Sequence, residues 1–146
     1  MPEADFLITV ASWEERFLLG AERITSDLPI RRVLMCYYRE YADWTQENRR
    51  KVEELWKNRG VQVETTEISF AEPARTWHTL HTRLFVPEVR QFVPIVDITT
   101  MPRDTLWTAL CLLRQPNVAT SYVYHRPRTY DSEWLSRDPG RPRLVY

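Results

Sequence analysis

The chain has 146 residues, of which 43% are hydrophobic and 27% charged, a composition typical of a single globular domain. Its formal net charge is zero, which disfavours a general nucleic-acid binder because such proteins carry an excess of positive charge. It has no apolar run of roughly 18 residues to span a membrane and no basic and then apolar N-terminal segment, so we expect a cytoplasmic protein.

Residues 5–11, D-F-L-I-T-V-A, form the first predicted strand because the run is apolar and rich in β-branched residues. A helix is predicted to follow, and Ser12 and Glu15 have the spacing of a capping box at its start. The inner face of this helix is predicted to carry Phe17, Leu18, Ala21 and Ile24.

Residues 32–38, R-V-L-M-C-Y-Y, form the second predicted strand, after a break at Pro29. Asp43 and Gln46 again have capping-box spacing and predict the start of the second helix. Gly60 predicts its end, since glycine is common just after a helix. The core-facing residues of this helix are predicted to be Val52, Leu55 and Trp56.

Residues 61–70, V-Q-V-E-T-T-E-I-S-F, alternate in polarity over their first half. Alternation indicates that one face of the strand meets water, which suits an edge strand better than a central one. Residues 74–92 are then predicted to be helical, with an interruption near Pro87 because proline disrupts a helix interior.

Residues 94–103, P-I-V-D-I-T-T-M-P-R, predict a short buried strand that ends at Thr99 and Thr100. The two threonines and Pro102 are typical of a helix start, because they offer capping oxygens and a preset backbone angle. The helix is predicted over residues 104–114, with an inner face made of Leu106, Ala109, Leu110 and Leu113.

A fifth strand is predicted over residues 118–125, V-A-T-S-Y-V-Y-H. Residues 125–146 form a tail rich in arginine, proline and aromatic residues, in which residues 143–146 have the composition of a short last strand. We expect residues 1–146 to form one domain.

Four strand–helix units closed by a fifth strand predict an α/β, Rossmann-like fold of three layers, with a mostly parallel sheet of five or six strands. If residues 61–70 form an edge strand, the strand order 3-2-1-4-5 follows. The first and fourth strands are then neighbours at the point where the order reverses, and ligands bind at such a crevice in open α/β sheets. The candidate ligand-binding residues there are Ser12, Trp13, Glu14, Glu15, Arg16, Asp97, Thr99, Thr100, Arg103, Tyr124, His125 and Arg126.

The residue types at this crevice fit a nucleotide. Two helix N-termini that face one cleft favour an anion, and Arg16 and Arg103 are suited to clamp a phosphate. Trp13 offers a flat ring for a base, and Asp97 offers an acceptor for a ribose hydroxyl or a base N–H. We therefore expect a nucleotide or cyclic oligonucleotide as the ligand.

Each of these residues also has a purely structural interpretation. Ser12 and Glu15 would serve only as a helix cap, and Asp97 would only bond the backbone of its own turn. Trp13 would be a core residue. Arg16 would be solvated or paired with a neighbouring carboxylate, as would Arg103. No single residue decides between the two interpretations.

Several catalytic motifs are missing from the sequence. Its three glycines form neither G-x-G-x-x-G nor a P-loop, which disfavours an ordinary dinucleotide enzyme or NTPase. Cys36 and Cys111 are both predicted to be buried, so neither is expected to act as a nucleophile. His78 and His81 lack a third ligand of metal type nearby. We expect neither a metal nor a cofactor.

The segment Asp97-Ile98-Thr99-Thr100-Met101-Pro102-Arg103 resembles the turn after the fourth strand of CARF-type Rossmann domains from prokaryotic antiviral defence. That family has an Asp-x-Thr-Gly-Gly type of turn, often followed by a basic residue. Asp97, Thr99 and Arg103 match it, whereas the glycine-rich part is replaced. The resemblance implies a homodimer that binds cyclic oligoadenylates at the first and fourth strands and signals to an effector.

Two other functions remain open at this point. The chain is alternatively a small interaction subunit that docks on a larger effector protein, since aromatic residues and arginine are enriched at binding hot spots and this chain has 6 Trp. It is alternatively an enzyme that cleaves nucleoside or NAD glycosidic bonds with Glu14 or Glu15 in the cleft.

Overall fold

The computed structural model describes residues 4–126, which form a five-stranded, entirely parallel sheet in the order β3-β2-β1-β4-β5. The strands are β1 Phe6–Val10, β2 Arg32–Tyr38, β3 Gln62–Ile68, β4 Pro94–Asp97 and β5 Ser121–Val123. The predicted order and the edge position of β3 are confirmed. The fifth strand is shorter than predicted, and the predicted strand at residues 143–146 lies outside the described residues.

Within residues 4–126, five α-helices connect or follow the strands: α1 Glu15–Asp27, α2 Ala42–Asn58, α3 Pro73–Leu84, α4 Pro87–Arg90 and α5 Arg103–Leu113. The interruption predicted near Pro87 is confirmed, because α3 stops at Leu84 and Pro87 opens the separate short helix α4. A 3-10 turn over Arg39–Tyr41 leads directly into α2.

The helices form two layers that cover opposite faces of the sheet. Successive side chains of a strand point to opposite faces, and Leu7 packs with α1 and α2 whereas Ile8 packs with α3 and α5. The indole of Trp56 is fully buried between α2 and α1, where its Nε1 donates to the carbonyl of Ala21 at 3.2 Å. This arrangement is the three-layer, Rossmann-like architecture that the sequence predicts.

The predicted capping boxes are wrong for both α1 and α2. Helix α1 begins at Glu15, and the hydroxyl of Ser12 instead accepts the N–H of Glu14 at 3.1 Å within the preceding loop. Helix α2 begins at Ala42 because the 3-10 turn already carries the chain into helical geometry, so Asp43 lies inside the first turn. The predicted end of α2 is confirmed by Gly60, whose φ is 75°.

Helix α5 differs from its prediction in two ways: the residue that caps its start and the exposure of Cys111 near its end. Pro102 occupies the N-cap position and neither threonine caps the helix. Ala109 and Leu113 are buried as predicted, together with Thr105 and Leu112, while Leu106 and Leu110 are only partly buried. Cys111 is exposed, so its predicted burial is wrong. Residue 111 lies about 200° around the helix from Ala109, on the outer side.

Candidate functional site

The carboxyl ends of β1 and β4 are neighbours at the centre of the sheet. Strand β1 pairs with β2 on one side and with β4 on the other, in the register Ile8↔Val96. The chain leaves β1 toward α1 and leaves β4 toward α5, which lie in opposite layers. The loops after these two strands therefore meet at the point where the strand order reverses.

Side-chain hydrogen bonds join the two loops at their base. Thr9 Oγ1 donates to Asp97 Oδ2 at 3.3 Å, and Thr100 Oγ1 donates to the carbonyl of Val10 at 2.8 Å. Asp97 Oδ1 accepts the N–H of Thr99 at 3.0 Å, and the Asp97 side chain is buried. Asp97 therefore holds its own turn and the end of β1, as the structural interpretation of this residue expects.

Thr99 extends the same network to β5. Its hydroxyl accepts the backbone N–H of His125 at 3.0 Å. The ring of His125 packs against Gly20 of α1, and its Nε2 is buried without a hydrogen-bond partner within residues 4–126. Thr99 and His125 thus close the site on the β5 side.

Ser12 is also committed to the loop that contains it. Besides accepting from Glu14, it offers its carbonyl to Nδ2 of Asn48 at 2.9 Å, which ties the β1–α1 loop to α2. The Ser12 side chain is buried. The polar groups nearest the base of the site are therefore occupied by protein contacts.

Arg16 lies between an acidic residue and a tyrosine. Its Nε donates to Glu14 Oε2 at 2.9 Å. Partial burial lowers the pKa of Arg16, but hydrogen bonds to Glu14 and Tyr124 outweigh it and raise the pKa above its ordinary value. Arg16, the partner of Glu14, also contacts Tyr124 after β5. Glu14 rather than Glu15 is therefore the glutamate linked to the crevice.

The helix starts at this site lack side-chain caps. Neither α1 nor α5 has a side-chain hydrogen bond to its first turn within the described part of the chain. Backbone N–H groups of a first turn have no partner inside the helix and attract anions. Glu15 and Arg103, the first residues of the two helices, are exposed, as is Arg126 beyond β5.

Trp13 is not a core residue. Its side chain is 51% exposed, and its ring makes edge contacts with Tyr41 and Trp44 at centroid distances of 5.2 and 5.8 Å. Neither Tyr41 nor Trp44 was expected at the site from the sequence. The available signal was their position just after the second strand, at the same edge of a parallel sheet as Trp13.

A shallow recess lies farther along this edge, at the end of β3. It is lined by Arg39, Glu67, Ile68, Ser69, Arg75, Thr76 and Thr79. Arg39 pairs there with Glu67 at 2.8 Å and with Glu72 at 2.9 Å. The recess lies at the edge strand β3, two strands away from β1 in the sheet.

Residues 4–126 offer little for thiol or metal chemistry. Burial raises the pKa of the Cys36 thiol to about 12, so the thiol stays protonated and unreactive. In this part of the chain no three His, Cys, Asp or Glu side chains are grouped so that they could hold a metal ion. None of its helices is long and apolar enough to cross a membrane.

The fold and the position of the crevice define a Rossmann-like α/β protein with its candidate site at the reversal of strand order. Neither a protein-family model nor a curated protein matches the sequence.

Proposed function

We propose that this chain is a nucleotide-binding module of a prokaryotic defence or signalling system, with its ligand at the carboxyl ends of β1 and β4. One observation carries the proposal: the uncapped starts of α1 and α5 follow two paired strands at the reversal of strand order. Two such helix starts offer backbone N–H donors and positive dipole ends to a phosphate.

The exposed side chains around the crevice supply the remaining contacts. Arg103 at the start of α5 adds a permanent positive charge, and Arg16 presents a guanidinium held in place by Glu14. Trp13 and Tyr124 offer partly exposed rings on the two sides. In this proposal Asp97, Thr99, Thr100 and Ser12 shape the loops, and the ligand meets the residues above them.

The resemblance of residues 97–103 to CARF-type domains favours a cyclic oligonucleotide among the possible nucleotides. It also supports a homodimeric, cytoplasmic module that passes its signal to an effector protein. In this reading Asp97 and Thr99 keep the shape of the turn. The first turn of α5, which contains Arg103, takes over the phosphate contacts of the missing glycines.

A thermal-shift screen with mononucleotides, NAD and cyclic oligonucleotides tests the proposal. A ligand at about 100 times its Kd adds about 2.7 kcal/mol of stability, a shift of several degrees. Arg103→Gln should reduce the shift, whereas Arg114→Gln at the opposite end of α5 should leave it unchanged. The two variants form a matched pair because both arginines are exposed. Absence of any shift, or an equal shift in the two variants, would contradict the proposed site.

A second function is favoured by a separate observation, the exposed aromatic rings on α3 and α5. Trp77 on α3, Phe85 directly after α3 and Trp107 on α5 are each about half or more exposed. Rings of this kind are typical of protein-binding hot spots, so the chain is alternatively a subunit that docks on a larger effector. Co-purification of a stoichiometric partner that is lost with Trp77→Ala and Trp107→Ala would support this function.

The glycosidic enzyme has no comparable observation in its favour. Glu14 is engaged in an ion pair with Arg16, and Glu15 is exposed at the start of α1. A general acid or nucleophile of that chemistry works in a site that shields it from water. We therefore expect Glu14→Gln to cause no change in turnover in a protein that still binds nucleotide.

A further inference from the structure

Four aromatic residues form a continuous group at the carboxyl ends of β1, β2 and β3. We name it the aromatic surface, and it consists of Trp13, Tyr41, Trp44 and Phe70. Trp13 contacts Tyr41 and Trp44, and Tyr41 contacts Phe70 at a centroid distance of 5.8 Å. Trp44 is 70% exposed and Phe70 is 43% exposed. These rings are adjacent to one another, and those of Trp13, Trp44 and Phe70 stay exposed to water.

The aromatic surface is held in place from below. Phe70 stacks on the ring of Tyr38 at a centroid distance of 3.6 Å with parallel planes. Tyr38 is buried, and its hydroxyl is hydrogen-bonded to Thr105 in the first turn of α5. The surface is therefore supported by the same helix start that we propose for the phosphate.

The loop that carries Phe70 has its own support. The carboxylate of Glu40 accepts from Ser69 Oγ at 2.5 Å and from the N–H of Ala71 at 3.2 Å. These two residues flank Phe70 on either side in the sequence. The ring thus occupies a position that is prepared before any ligand arrives, which reduces the entropic cost of binding.

The exposure of these rings is not needed for the core of α2. That helix packs through Val52 and Trp56, which are fully buried, whereas Trp44 lies in its first turn and faces water. A contiguous exposed apolar patch usually marks a binding site. The aromatic surface lies at the carboxyl edge of a parallel sheet, which is the edge at which such folds bind ligands.

We infer that the aromatic surface is the base-binding part of the nucleotide site, and this inference rests on the proposed function. Trp13 connects the base-binding part to the phosphate-binding helix start, since it belongs to the aromatic surface and lies two residues before α1 begins. A planar heteroaromatic ring stacks on the exposed Trp44, with Trp13 next to it in an edge contact, and the phosphate lies at the helix starts. Stacking accepts any base, so the site selects a nucleotide over a sugar phosphate.

Calorimetric titration with adenosine 5′-monophosphate and with ribose 5-phosphate tests this inference. Stacking contributes about 1–3 kcal/mol per base, so Trp44→Ala should weaken binding of the nucleotide by about 5- to 150-fold. Binding of ribose 5-phosphate should not change, because it has no base. Tyr122→Ala is the matched control, since Tyr122 on β5 is 70% exposed, as Trp44 is, and lies outside the aromatic surface.

The outcomes separate the inference from the proposed function. If the nucleotide binds but Trp44→Ala and Trp13→Ala leave its affinity unchanged, the inference is wrong and the phosphate site stands. If both ligands bind with equal affinity, the base makes no contact and the inference is also wrong. If neither ligand binds at millimolar concentration, the inference is wrong, and the proposed function fails as well if the cyclic oligonucleotides also give no thermal shift.

Discussion

The packing of Gly20 against His125 leads to a prediction in which two effects have opposite signs. A Cβ added at position 20 would lie 2.7 Å from His125 Cδ2 and 3.1 Å from Nε2. Alanine is favoured over glycine in a helix by about 0.8–1.0 kcal/mol, whereas an additional methyl group in a packed contact costs about 1–3 kcal/mol. The steric effect should prevail because the His125 ring would have to move and its Nε2 end is itself buried. Gly20→Ala should therefore lower the free energy of unfolding by roughly 1 kcal/mol.

The same substitution should change sign when the ring is removed. In a His125→Ala background the three heavy atoms nearest to the added Cβ are gone, so Gly20→Ala should raise the free energy of unfolding by about 0.8–1.0 kcal/mol. The backbone N–H of residue 125 keeps its bond to Thr99 in this background. The two substitutions are then coupled by about 2 kcal/mol, a size expected only of residues in contact.

Urea unfolding followed by circular dichroism, with the wild type, both single variants and the double variant, measures this coupling. Equal slopes in denaturant would show that the variants unfold from equally compact states. If Gly20→Ala stabilises the protein by the same amount in both backgrounds, the His125 ring does not pack on Gly20 and His125 does not close the site.

The remaining predictions concern the loop bond, the thiols and the acid dependence of stability. Thr100→Val removes the donor to the carbonyl of Val10 and should cost about 1 kcal/mol in urea unfolding, while Thr100→Ser should restore most of it. In the native state a thiol reagent should modify Cys111 at once and Cys36 only after denaturant is added, since Cys111 is exposed and burial raises the pKa of Cys36 to about 12; equal reaction rates would contradict this. Although burial raises it, hydrogen bonds from Ser69 and from the backbone lower the pKa of Glu40 below its ordinary value of 4.5. The stabilising contribution of Glu40 is therefore present above about pH 4.5 and lost as the pH falls through the lower folded-state value, so Glu40→Gln should flatten the acid dependence of unfolding below about pH 4.5.

The strand order could be predicted because a local pattern decided it. The polar and apolar alternation of β3 marks one face as exposed to water, which places this strand at an edge. The break at Pro87 was predictable for a similar reason, since proline removes a backbone donor wherever it stands. Both features depend only on neighbouring residues.

The helix starts were less predictable than the helices. The residue types of a capping box were present at Ser12 and Glu15, but the helix begins at Glu15 itself. A hydroxyl can accept an N–H two residues on in a turn as readily as an N–H in a helix. The loop bond from Glu14 to Ser12 and the contact of Asn48 with Ser12 decide between these alternatives.

Hydrophobic periodicity and right-handed crossovers are local or general rules, so the α/β class, the parallel sheet with its order and the neighbouring ends of β1 and β4 could all be predicted from the residues. What the polar side chains at those ends do depends on tertiary contacts. Asp97 bonds to Thr9 and Thr100 bonds to Val10, partners separated by 88 and 90 residues in the chain. Tertiary packing also decided that Trp13 joins an exposed group of rings, since three separate strand ends must come together to form it.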